Sequence, residues 1–173
     1  MNVIFLDFDG VVCTSVFQNN ADIEAKIILL KEICDYCNAS VVITSIHKNS
    51  FDPITLEPID KDAEYAIYVM DTLKKHNVPI IGMTPTLNVE IASTTYYLNK
   101  GYEILKYLSL HPEIENYCII DDEENKICVD DELKEHLLLV PYDYKNPNKS
   151  GLLPIHKEEI FKILNINKKE KNK

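Results

Sequence analysis

Short apolar runs recur along the chain, at residues 2–7, 40–44, 77–83, 117–121 and 137–140, and between them lie longer stretches with apolar residues at helical spacing. This alternation is the strongest constraint on the fold. Runs such as NVIFLD, SVVIT, YCIID and LLLV are too short and too β-rich for helices, and they lack an alternating polar face. They read as strands buried on both sides. The intervening stretches 24–37, 63–76, 101–110 and 155–165 read as helices. The third stops before His111-Pro112, because the residue ahead of a proline disfavours helical ψ. Pro154 suits the first turn of the last. The pattern predicts an α/β fold: one doubly wound, mainly parallel, five-stranded Rossmann-like sheet with helices on both faces. At 173 residues a single domain over 1–166 is expected, with a lysine-rich tail, 167–173, that frays.

In such sheets ligands bind beyond the carboxyl ends of the strands. The first strand runs into VIFLDFDGVV, so Asp7 and Asp9 stand at its end and Gly10 permits a sharp turn after them. The second strand ends at Thr44-Ser45 and the fourth at Asp121-Asp122. Lys100 opens the helix before the fourth strand. Carboxylates from the first and fourth strands would converge at one sheet edge, repel one another and raise one another's pKa. A hard divalent cation relieves that repulsion. Oxygen ligands with room for water and a phosphate suit Mg²⁺. A hydroxyl at the second strand end can hydrogen-bond a phosphate oxygen, and a lysine ammonium can balance the remaining charge. That set of groups describes phosphoryl transfer, with an aspartate as nucleophile and a second acid to protonate the leaving oxygen and then activate water.

Composition narrows the partners. There are 28 acidic residues against 18 basic ones, every one of the latter a lysine, for a net charge of −10. No extended nucleic-acid-binding surface is expected from such a balance. No apolar run reaches membrane-spanning length and the start lacks the marks of a secretory leader, so a cytoplasmic protein is expected. The five cysteines fit reduced thiols there. Cys34 and Cys37 form C-x-x-C, but inside a helical pattern and without a second such pair, which favours packing over zinc or redox chemistry. With four glycines there is no glycine-rich phosphate loop.

FLDFDGVV, VVIT at 41–44, Lys100 ahead of its helix and CIIDDEE resemble, in order, the four motifs of the haloacid dehalogenase (HAD) superfamily. The resemblance implies Asp7 as the nucleophile that becomes phospho-aspartate. It implies Asp9 as acid/base with its backbone carbonyl on Mg²⁺, and Thr44 as the phosphate-binding hydroxyl with the Ser45 N–H beside it. Lys100 would be the charge-stabilising lysine, and Asp121 and Asp122 would complete the metal shell, the second directly or through water. Because the dehalogenase branch lacks the second acid, the chain looks like a phosphatase. TSIHK at 44–48, NKGYEILKYLSLHPEIENYCIIDD and SGLL at 150–153 are similar to a compact branch, the HAD domains of Swiss Army Knife RNA repair proteins. Ile46-His47-Lys48 and Lys100 depart from its S-W-R and Arg. The substrate would be a phosphorylated small molecule, or a nucleic-acid or protein terminus.

Around these residues several readings stand side by side. His47 is either a general acid or part of the site mouth. Glu103 is either an ion-pair partner for Lys100 or solvated. Tyr96 and Tyr97 either stack on a substrate base or pack. The loops 13–23 and 83–99 are too short for a cap domain, so an open pocket is expected, partly covered by the irregular loop 46–62. The rival function is a non-catalytic domain of the same fold that binds a phosphorylated partner. A phosphoacceptor receiver domain would place its aspartate on a later strand.

Overall fold

The computed structural model describes residues 1–14, 20–143 and 145–166; the expected tail lies outside them, as does part of the loop after the first strand. The central sheet contains β1 (Asn2–Leu6), β2 (Ala39–Ile43), β3 (Ile80–Met83), β6 (Asn116–Asp121) and β7 (Leu137–Leu139), in the order β3-β2-β1-β6-β7. Every neighbouring pair is parallel. The five apolar runs are thus the five strands, each within a few residues of its expected bounds.

The two-residue period of a strand sends alternate side chains to opposite faces. Ile4, Leu6, Val41, Ile43 and Ile120 face one core, covered by α1 (Asn20–Cys37), α2 (Glu64–Lys75) and α6 (Lys157–Ile163). Val3, Phe5, Val42 and Ile119 face the other, covered by α3 (Lys100–Leu110) and the short helices α4 (Glu124–Ile127) and α5 (Asp131–Glu135). Both faces are therefore covered, as a parallel sheet requires.

Cys34 and Cys37 lie on α1, almost fully buried, and no disulfide joins any of the five cysteines. Burial pushes their thiols up to about 12 and about 11 respectively, so neither offers a thiolate at neutral pH. The C-x-x-C pair is a packing feature. Among the described residues no helix is long and apolar enough to cross a membrane.

The segment after β3 holds an element that the apolar pattern does not announce. An antiparallel hairpin, β4 (Asn88–Ile91) with β5 (Thr94–Tyr97), leaves the sheet between β3 and α3, and all eight of its strand residues are exposed. Its root is held from below. Glu103 Oε1 accepts from the Leu87 N–H (3.2 Å), and Thr86 Oγ1 donates to Asn49 Oδ1 (2.5 Å). Among the described residues no cap domain covers the strand ends.

Candidate active site

Strand alternation also sets the site. Leu6, Ile43 and Ile120 point toward the α1 face, so the next residues, Asp7, Thr44 and Asp121, fall on the α3 side at the carboxyl ends of three adjacent strands. The ladder carries on past the strand ends, through Asp7 N–H to the Ile120 carbonyl (3.2 Å) and Thr44 N–H to the Leu6 carbonyl (2.9 Å). This fixes the three side chains relative to one another. Lys100 is the first residue of α3, where the helix dipole disfavours a cation. What offsets that cost is the pair of carboxylates it faces: Nζ donates to Asp7 Oδ2 at 2.5 Å and to Asp121 Oδ2 at 2.8 Å.

Asp7, Asp121 and Asp122 each bring a carboxylate oxygen within 4.8 Å of the others. Asp7 and Asp121 are buried and Asp122 is half-buried. Burial and the neighbouring Asp7 charge push Asp121 up to about 6 and raise Asp122 as well. Three acids crowded in this way, with one ammonium between two of them, are under-neutralised. A divalent oxygen-loving cation fits that deficit.

Thr44 adds a second sign of a missing ligand. Its Oγ1 is fully buried and has no hydrogen-bond partner, yet the residue lines a cavity beside Lys100. A buried hydroxyl without a partner costs stability. A ligand oxygen arriving there would satisfy it. Ser45 is buried too, and its side chain is committed to capping the 3₁₀ turn Ile46–Ser50, where it accepts from the His47 N–H at 3.4 Å.

Asp9 does not join the carboxylate cluster. Its side chain turns to the mouth of the site, where Oδ2 lies 3.0 Å from His47 Nε2 and Oδ1 accepts from the Tyr65 hydroxyl at 3.1 Å. The His47 hydrogen bond holds the Asp9 carboxyl below its usual range, and Asp9 in turn raises His47. His47 is thus tied to the acid that resembles the family's acid/base, and Tyr65 on α2 joins it. Tyr65 carries no sequence signal for this role, because it sits in an ordinary helical pattern more than 50 residues away. Glu103 neither pairs with Lys100 nor faces solvent. It is buried against Lys48 Nζ at 2.8 Å, both side chains being nearly inaccessible. Tyr96 and Tyr97 are exposed on β5, not packed.

A cavity of about 490 Å³ opens over this arrangement, with Asp7, Asp9, Tyr65, Lys100 and Asp122 in its walls. Gly10 makes the approach possible. Its φ is +70°, and a Cβ there would lie 2.1 Å from Asp122 Oδ2. Gly10→Ala is therefore expected to cost about 1–2 kcal/mol of stability from the left-handed backbone, read as a lower unfolding midpoint. It should also displace Asp122 and weaken Mg²⁺ binding by about tenfold or more in a calorimetric titration.

The family model described as the HAD domain in Swiss Army Knife RNA repair proteins matches residues 3–144. No curated protein and no solved structure matches the chain.

Proposed function

The chain belongs to the family of HAD domains in Swiss Army Knife RNA repair proteins, and on that premise we propose that it is a Mg²⁺-dependent phosphomonoesterase working through a phospho-aspartate on Asp7. The observation that carries this reading is the buried cluster of Asp7, Asp121 and Asp122 around the Lys100 ammonium, at the ends of adjacent strands.

A carboxylate oxygen of Asp7 attacks phosphorus, and the bond from phosphorus to the leaving oxygen breaks as Asp9 delivers a proton to that oxygen. Asp9 then takes a proton from water, which attacks the phosphorus, frees the Asp7 carboxylate and releases inorganic phosphate. Lys100 holds Asp7 in place and offsets the negative charge gathering there. The Thr44 hydroxyl donates to a phosphate oxygen, which gives it the hydrogen-bond partner it otherwise lacks. Asp9 and His47 act as a coupled pair. The hydrogen bond between them holds Asp9 low and raises His47, so His47 lies where it can exchange a proton with the acid. Asp7, Asp121, Asp122 and the Asp9 carbonyl would hold Mg²⁺, which when bound neutralises phosphate oxygens and lowers the repulsion an attacking carboxylate meets.

The family description supports a phosphorylated nucleic-acid end as substrate. With a net charge of −10 the affinity for such an end rests on the phosphate clamp and not on a basic stripe. Free, mostly buried thiols are in keeping with a reducing, cytoplasmic setting.

The test is release of inorganic phosphate from p-nitrophenyl phosphate and from a phosphate-ended oligonucleotide, with Mg²⁺ and after chelation. Turnover should fall at least about 10²-fold on chelation and return when Mg²⁺ is restored, since the cation supplies several kcal/mol of charge stabilisation. Failure to hydrolyse either compound in Mg²⁺ would overturn the proposal.

A further inference from the structure

Next to the site, sharing Ile46, Lys100 and Lys126 with the cavity over the acids, lies a second cavity of about 270 Å³. Its walls bring together Thr44 and Lys100 of the site with Tyr97 and Leu98 from the end of the hairpin. Its charges are already paired. Lys48 is tied to Glu103, Lys126 to Glu123, and Lys100 to Asp7 and Asp121. With Thr44 and Lys100 given to the phosphate, what remains on offer to the rest of the ligand is the apolar surface of Ile46 and Leu98, the ring of Tyr97 and the polar side chain of Asn99. A further cavity, by Tyr65 and His47, is lined also by Asp62 and Glu64, whose carboxylates repel a phosphorylated molecule.

The hairpin's geometry is consistent with a binding role. Val89 pairs with Tyr96 and Ile91 with Thr94, so these four share one face, and Tyr97, opposite Asn88, lies on the other. An isolated two-stranded hairpin is marginal in water. This one is fixed at its root by Glu103, the residue that also holds Lys48 under the cavity floor. The same buried acid thus joins the hairpin to the turn Ile46–Ser50, which follows Thr44.

We infer that this cavity is the subsite for the organic part of the substrate, and that the part it takes is a flat aromatic ring adjoining the phosphate, stacked on Tyr97. The inference rests on the phosphate lying at Thr44 and Lys100, as in the function proposed above. Stacking on an aromatic side chain tolerates any ring with a π face and is worth roughly tenfold or more in affinity.

The test uses binding, so that it does not depend on turnover. Phenylphosphonate and methylphosphonate, neither of them hydrolysable, are titrated into the whole chain in Mg²⁺. Phenylphosphonate should bind at least about tenfold more tightly. Tyr97→Ala should reduce that preference to within about twofold, Tyr97→Leu should reduce it nearly as far, and Tyr97→Phe should keep it, while methylphosphonate affinity stays constant in all three. Tyr97 is 68% exposed, so its replacement leaves the core untouched. A wild-type preference near one, or a preference that survives Tyr97→Ala, overturns the inference. Competition by a nucleoside monophosphate against a phosphate-ended oligonucleotide then tells a free nucleotide from a strand end as the source of the ring. If no phosphomonoester is hydrolysed while the ring preference holds, the Asp7 chemistry fails and the subsite stands. If hydrolysis holds and the preference is absent, the subsite alone fails.

Discussion

Asp7→Asn should abolish phosphate release, a fall on the order of 10⁴- to 10⁶-fold, because removal of a covalent nucleophile leaves only the binding and electrostatic parts of the rate. The amide is nearly the same size and keeps an oxygen that can accept the Phe8 N–H, now bonded to Asp7 Oδ1 at 2.8 Å. Lys100 retains Asp121 as a partner. The variant should therefore unfold within a few degrees of the wild type, so lost activity reports lost chemistry. Phosphate release in Mg²⁺, measured beside a thermal melt, decides the matter. Turnover that persists in a folded Asp7→Asn protein would place the nucleophile elsewhere. A variant that still binds phosphonates as the parent does, when the parent itself is inactive, would favour the non-catalytic reading.

Lys100→Met should be costly in two ways at once. It removes the one ammonium bonded to both Asp7 and Asp121 and leaves three crowded carboxylates without it. Breaking a buried ion pair by deleting one partner costs about 3–5 kcal/mol. The sign of its pH dependence follows from Asp121. In the folded protein burial and the Asp7 charge push Asp121 up to about 6, above its ordinary 3.8, so its protonated form is favoured by folding. The resulting penalty is absent at pH values below the unfolded pKa and grows as pH rises through the folded one. Loss of the lysine pushes that folded value higher still. The deficit of Lys100→Met against wild type should thus be largest at neutral pH, shrink toward pH 4, and be partly recovered by Mg²⁺. Catalysis should fall by about 10²- to 10³-fold as the charge-balancing group disappears. Denaturant titrations at two pH values, with and without Mg²⁺, measure the first effect. A variant as stable as wild type at neutral pH without metal, and as active, would sink the account of this site.

The strands were legible because burial on both faces leaves an unbroken apolar run, and the site followed because strand ends in a parallel sheet share one edge. Asp7, Thr44 and Asp121 could be placed at one edge from the strand ends, and Lys100 was singled out by its resemblance to the family's lysine motif. The hairpin could not. Its turn residues are Ala92 and Ser93, both at positive φ (49° and 67°), where Asn-Gly or Asp-Gly would have announced a tight turn. Its strands are exposed on both faces, so no two-residue apolar rhythm marks them. Tyr65 was illegible for another reason: its link to Asp9 is made across space by a helix that reads as ordinary core packing. Glu103 misled through proximity in sequence. At three residues from Lys100 it had the spacing of a helical ion pair. Yet α3 turns it inward, where Lys48 and the Leu87 N–H are both within reach.

Beyond the segment that matches the family, residues 150–152 lie against the turn that follows Asp9. Gly151, at φ +69°, comes so near that a Cβ would sit 2.2 Å from the Val11 carbonyl, and the Leu152 N–H donates to that same carbonyl at 2.9 Å. Lys26 of α1 reaches the Ser150 carbonyl from within the core, at 3.0 Å. The loop after Asp7 is thus braced from the far end of the chain. A fragment trimmed at residue 144 would keep Asp7, Asp9, Lys100, Asp121 and Asp122, yet lose the segment that packs on the Gly10–Val11 turn beside them.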